Sequence, residues 1–128
     1  MTFGNAKAAD VFAIGSNRRA AQIEVKTSQT PGRVVTGFFQ KNWDDPRDRP
    51  DFWVLCTFSE RRGAASESFY VLTHEEMKAA QAERNWPGES LTAKDQVLRA
   101  TRGVDNVLFA ALAAHQDRWD KIVDFCSD

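Results

Sequence analysis

The run Phe52 to Phe58 (FWVLCTF) is aromatic and β-branched and carries no charge. A segment like that has to be kept from water, so it predicts a buried central strand. Phe69 to Leu72 (FYVL) follows the polar stretch Ser59 to Ser68 and predicts a further strand paired with the first. Thr73 and Glu76 have the Thr-x-x-Glu spacing of a capping box ahead of MKAAQAE. That spacing predicts a helix opening at Thr73, which Trp86-Pro87-Gly88 stops near Asn85.

Upstream, Asp10 to Ile14 (DVFAI) is a short apolar run, Gly15, Ser16 and Asn17 are turn formers, and Ala20 to Thr27 (AAQIEVKT) is a second run. Together they read as a β-hairpin. In the second run Ile23 and Val25 alternate with Gln22, Glu24 and Lys26, giving one apolar and one polar face. With the turn centred on Asn17, paired positions sum to 34 and Asp10 stands opposite Glu24. Thr30 to Asp51, with three prolines, Gly32, Gly37 and mixed charges, predicts an exposed loop with a short strand inside Arg33 to Gln40. Thr92 to Thr101 predicts a short helix. From Val104 to Phe125 apolar residues recur every three or four positions, which predicts one amphipathic helix packed on the sheet. The expected whole is a single α/β domain over residues 1–128.

Composition excludes several classes. With 42% hydrophobic and 27% charged residues the chain falls in the range of soluble globular proteins. No apolar run approaches a bilayer-spanning length and the opening MTFGNAKAAD lacks a secretory profile, so a cytoplasmic protein with no membrane partner is expected. Cys56 and Cys126 belong to no ligand spacing, and His74 and His115 lack nearby partners, which favours packing or capping over metal ligation. There is no internal repeat, glycine-rich phosphate loop, Gly-x-Ser-x-Gly elbow or dinucleotide fingerprint. Trp53 and Trp119 sit in core patterns, while Trp43 and Trp86 lie in loops. Arg47 and Arg49 among Asp44, Asp45, Asp48 and Asp51 look like a charge-balanced loop. Charge is uneven: Met1 to Arg62 holds ten Lys and Arg against seven Asp and Glu (+3), and Gly63 to Asp128 seven against eleven (−4). A basic first half suits phosphate contact, for which Arg18, Arg19, Gln29 and Arg33 are candidates.

Two carboxylates opposed across a hairpin repel, by about 1 kcal/mol in water at ~4 Å and about 4 at an effective dielectric of ~20, so a cation or shared proton is expected between them. Asp10, Glu24 and a nearby backbone carbonyl, that of Val25, form half a shell of hard oxygen donors for Mg²⁺ or Mn²⁺. Lys26 projects from the same face as Glu24, where an ammonium can orient a water or steady a phosphoryl group. Spacing alone leaves open that Glu24 and Lys26 are only a solvated ion pair on an exposed strand.

AADVFAIG, a basic turn, QIEVKTSQ, then FWVLCTF, FYVLTHEEM and a closing DRWDKI resemble small bacterial members of the PD-(D/E)XK nuclease superfamily over most of the chain. The resemblance implies a restriction-endonuclease-like core, a mixed four-stranded sheet flanked by helices in the order α-β-β-β-α-β. It also implies DNA as partner and divalent-metal phosphodiester hydrolysis, with Asp10 and Glu24 as metal ligands and Lys26 as the lysine of the motif. Gln29 falls where many relatives carry a polar residue touching the site, and Ala9 stands where the motif's name has proline. Relatives have a helix and a first strand ahead of the motif aspartate, where this sequence has nine residues, so the first helix is expected to be missing and a homodimer to cover the exposed sheet. The alternative is an inactive nuclease-fold module that binds nucleic acid or a protein partner.

Overall fold

The structure is a computed structural model and describes residues 10–29, 32–61, 63–86, 92–101 and 103–127. The upstream segment discussed above, residues 1–9, lies outside them. The chain has a mixed α and β fold. Strands β1 (Val11–Ile14), β2 (Ala20–Ser28), β4 (Phe52–Arg61) and β5 (Ala64–Thr73) form a four-stranded sheet in the order β1-β2-β4-β5. β1 runs antiparallel to β2, β2 parallel to β4, and β4 antiparallel to β5, while β3 (Arg33–Val35) pairs with β6 (Asn106–Leu108) as a separate ribbon.

β4 is central and buried, as its sequence predicts. Trp53 and Leu55 face one layer with Tyr70 and Leu72, covered by Met77 of helix α1 (His74–Asn85) and by Val34, Phe38, Val107, Phe109 and Leu112. Phe52, Val54 and Cys56 face the other layer with Ala21, Ile23 and Val71, covered by Ile122 and Cys126 from helix α3 (Asp120–Phe125) and its C-cap. Asp51 starts the parallel pair: its carboxylate accepts from the Gln22 N–H at 2.8 Å while its own N–H donates to the Gln22 carbonyl at 2.8 Å.

Helix α1 begins as expected. The Thr73 hydroxyl accepts from the Glu76 N–H and the Glu76 carboxylate accepts from the Thr73 N–H, at 3.1 and 2.9 Å, closing the capping box. Helix α2 (Ala93–Thr101) fills the short-helix segment. His74 has the packing role foreseen: it is buried, takes the Trp53 indole N–H on Nδ1 at 3.4 Å, and sets Nε2 2.8 Å from the Trp43 carbonyl, which makes Nε2 the protonated nitrogen.

Four expectations fail. Val104 to Phe125 is not one helix but β6, a 3-10 helix at Phe109–His115 and α3. The backbone breaks at Gln116 and at Asp117, where φ is +54°, and Asp117 donates its N–H to the Phe69 carbonyl at 2.9 Å, so β5 captures a segment that periodicity assigns to a helix. Thr30 to Asp51 is not chiefly exposed: Val34, Thr36, Phe38 and Pro50 are buried and roof one face of the sheet. Ser59 to Ser68 is no polar spacer, because β4 and β5 continue through it in register from Phe52↔Thr73 to Arg61↔Ala64. Trp119 is 40% exposed rather than core, resting on Phe69, whereas Trp43 stands in a turn as expected and packs on Phe38. Among the described residues no helix is long and apolar enough to cross a membrane.

Candidate functional site

The β1-β2 ladder pairs Val11↔Ile23, Phe12↔Gln22, Ala13↔Ala21 and Ile14↔Ala20, every pair summing to 34, so the expected register holds over β1, but the ladder ends at Val11↔Ile23 and the expected Asp10–Glu24 pair is not part of it. Asp10 lies one residue ahead of β1, at a bend. Its N–H donates to the Ile23 carbonyl at 2.8 Å and its carboxylate Oδ2 accepts from the Val25 N–H at 2.9 Å. The aspartate therefore takes over the job of the next strand carbonyl, and this fixes its carboxylate beside the residue that follows Glu24. In an antiparallel ladder a residue's N–H and C=O point to the same neighbour, so the Val25 carbonyl faces the Asp10 side as well.

Glu24 and Lys26 are on the sheet face that carries Trp53 and Leu55, their parallel neighbours on β4. The Lys26 ammonium is 3.3 Å from Glu24 Oε1, and the two side chains are 34% and 16% exposed, so the pair sits half-sheltered at the margin of the core. The structure thus gathers Asp10, Glu24, the Val25 backbone and Lys26 at one end of the hairpin. No group of three His, Cys, Asp or Glu that could hold a metal occurs among the described residues. The donor set here, two carboxylates and a peptide carbonyl, fits Mg²⁺ or Mn²⁺, which are commonly held by one or two carboxylates and complete their shell with water and phosphate oxygens.

The basic candidates divide. Arg18 and Arg19 stand at the hairpin turn, about five to six strand residues or roughly 16–20 Å from Glu24. Arg19 is committed to packing, its guanidinium 3.7 Å from the Phe125 ring centroid. Gln29 and Arg33 are exposed and lie beyond the Lys26 end of β2, with Ser28 donating to the Arg33 carbonyl at 2.7 Å. Arg47 and Arg49 pair with Asp45 and Glu75, as a charge-balanced loop requires.

A second polar cluster has no signal in local sequence. Lys121, 12% exposed, donates at 2.9 Å to each of the Val71 carbonyl, Glu76 Oε1 and His115 Nδ1, tying α3 to β5, α1 and the 3-10 helix. Burial and the Lys121 charge hold the His115 imidazole below its usual pKa, against the pull of Glu76. Burial raises the Glu76 carboxyl, but the Thr73 N–H and Lys121 together bring it below the ordinary range. The members come from positions 71, 76, 115 and 121, which only the fold assembles.

Comparison with family models, with curated proteins and with solved structures finds no match to this chain.

Proposed function

We propose that this chain is a metal-dependent DNA nuclease of the PD-(D/E)XK type, hydrolysing phosphodiester bonds at Asp10, Glu24 and Lys26. The observation that carries the proposal is the Asp10 carboxylate held on the Val25 amide next to a Glu24–Lys26 pair, two acids and a cation at one strand end. Asp10, Glu24 and the Val25 carbonyl would hold Mg²⁺ or Mn²⁺, which when bound supplies an acidified water and neutralises charge on phosphate. Lys26 keeps a proton donor on the same face, placed to orient the nucleophile and to steady the phosphoryl oxygens. Half-burial of Glu24 strengthens its interaction with any cation compared with open water.

The restriction-endonuclease-like architecture belongs to the same proposal. A hairpin carrying Asp10 and Glu24, followed by a crossover to a parallel strand, supports it. The crossover is a departure, since residues 29–51 supply β3 and 3-10 turns at Gln40–Asn42 and Pro46–Asp48 where the superfamily order has an α-helix. A homodimer is also proposed, covering the sheet edge at β1, where Val11 is exposed; a monomer at all concentrations in sedimentation equilibrium refutes that part.

The test is cleavage of plasmid or branched DNA with Mg²⁺ or Mn²⁺ by the wild type beside Asp10→Ala and Lys26→Ala. Equal behaviour of all three would falsify the enzyme. The second reading, an inactive binding module, draws on the fact that Val25 and Lys26 already satisfy both carboxylates without metal. Calorimetric titration with Mn²⁺ separates the two, because only the nuclease gives heat that depends on Asp10 and Glu24.

A further inference from the structure

β1 and β2 present Phe12 and Ile14 on the same side as Gln22 and Glu24, while Ala13 points into the opposite core layer. Phe12 is 59% exposed and Ile14, at 71%, is the most exposed large apolar side chain among the described residues. Neither joins a core cluster. Phe12 is the cross-strand partner of Gln22 and so the diagonal neighbour of Glu24, roughly 7–8 Å away. From the carboxylate end the hairpin thus offers, in order, the Lys26 cation and the acids, an exposed aromatic ring, an exposed aliphatic side chain and then exposed Arg18 at the turn.

With Mg²⁺ or Mn²⁺ held by Asp10 and Glu24, the carboxylate end would be net positive, and a cationic end, a ring, an aliphatic surface and the Arg18 cation in a line would match the chemistry of one strand of nucleic acid, whose phosphates alternate with flat apolar bases. In a duplex those bases are stacked on one another and unavailable to a ring lying on a sheet. An unpaired base is available, and stacking on an aromatic side chain is how single strands are held without sequence readout. We infer that Phe12 is the stacking platform for an unpaired base next to the scissile phosphate, with Ile14 continuing the track, so that the site prefers single-stranded or locally unpaired DNA to uniform duplex. The inference rests on the nuclease reading above and adds the substrate's structure to it. Phe12 acts here as a specificity residue, apart from the groups that hold metal and phosphate.

The experiment uses the full chain, Mn²⁺ and cleavage-resistant phosphorothioate DNA containing 2-aminopurine, offered as a single strand and as the matching duplex. Wild type is expected to bind the single strand more tightly and to quench the 2-aminopurine. Phe12→Ala is expected to weaken single-strand binding roughly 5- to 150-fold, the equivalent of about 1–3 kcal/mol per stacked base at 1.4 kcal/mol per tenfold, with duplex binding and the Mn²⁺ titration unchanged. Phe12→Trp should restore both affinity and quenching, which a purely structural role would not require. Wild-type affinity and quenching in Phe12→Ala overturn the inference and leave the nuclease reading intact, as does equal wild-type binding to both DNA forms. A dimeric wild type beside a monomeric Phe12→Ala also overturns it, assigning the ring to a subunit contact. Absence of both Mn²⁺ heat and DNA binding in the wild type removes the nuclease reading, and the inference with it.

Discussion

Asp10→Asn separates what the carboxylate does for the fold from what it does for a metal. The side-chain amide oxygen of that variant can still accept from the Val25 N–H, the 2.9 Å bond that fixes this residue, so the strand end keeps its cap. The negative charge is lost, and with it a repulsion from Glu24 that the exposure of Asp10 and the Lys26 ammonium 3.3 Å from Glu24 already hold to below about 1 kcal/mol. Metal-free Asp10→Asn should therefore melt within about 4 °C of wild type, taking roughly 3–5 °C per kcal/mol for a chain of this size. Asp10→Ala removes the acceptor as well and should lose about 1 kcal/mol, melting about 3–5 °C lower. Mn²⁺ at about one hundred times its dissociation constant should stabilise wild type by about 2.7 kcal/mol, a rise of roughly 8–13 °C, and should leave both variants unmoved. Scanning calorimetry with and without Mn²⁺ reads all of these. An undiminished Mn²⁺ shift in Asp10→Asn would refute the metal assignment; a metal-free Asp10→Asn as unstable as Asp10→Ala would show that the charge serves the fold.

Three further outcomes follow from the packing. Gly15→Ala should be severely destabilising, because the added methyl meets the Cys126 carbonyl and Cβ, and the hairpin must then lift from α3; denaturant melts check this. Lys121→Met should cost about 2 kcal/mol, since three acceptors lose their donor, with the half-exposed Glu76 partly compensated by water. His115 is held below its usual pKa, so the unfolded chain binds its proton first as pH falls; this contribution to stability is complete above about pH 6.5 and drains away through the lower folded pKa. Glu76, also lowered, adds a loss in the more acidic range below about 4.5, and a stability profile of Lys121→Met should have the histidine step diminished.

Where the sequence is locally explicit the fold follows it. The constant sum of 34 in the hairpin follows from a turn flanked by alternating residues, and the Thr73–Glu76 cap from a reciprocal pair three positions apart. Asp10, Glu24 and Lys26 were legible for the same reason, being neighbours on one hairpin. The Val104–Phe125 stripe misleads because spacing of three and four is shared by a helix and by the strand, 3-10 helix and short helix that replace it, and the deciding contact is with distant Phe69. Val34, Thr36 and Phe38 alternate as buried residues, but the prolines and charges around them mask a roof that exists only against α1 and β6. Gln81 shows why: fully buried, it donates to the Val104 and Asn106 carbonyls at 2.7 and 3.0 Å and accepts from Thr36 at 2.9 Å, a junction of three segments with no shared local pattern.

The hairpin turn has its anchor far along the chain. The Asn17 amide donates to the Phe125 carbonyl, its N–H to the Cys126 carbonyl, and Arg19 lies over the Phe125 ring, contacts that span 108 positions or nearly so. At about 5–20 residues per second of synthesis, the strand carrying Asp10 is made about 5–20 s before the helix it rests on. During that interval Ala13 of β1 and Ala21 and Ile23 of β2 lack the Ile122 and Cys126 that pack on them in the folded chain, and the hairpin turn lacks its anchor. Anchoring of the hairpin turn is therefore a late event in the birth of the molecule, and a nascent chain carries Asp10, Glu24 and Lys26 well before it carries the helix that holds their hairpin in place.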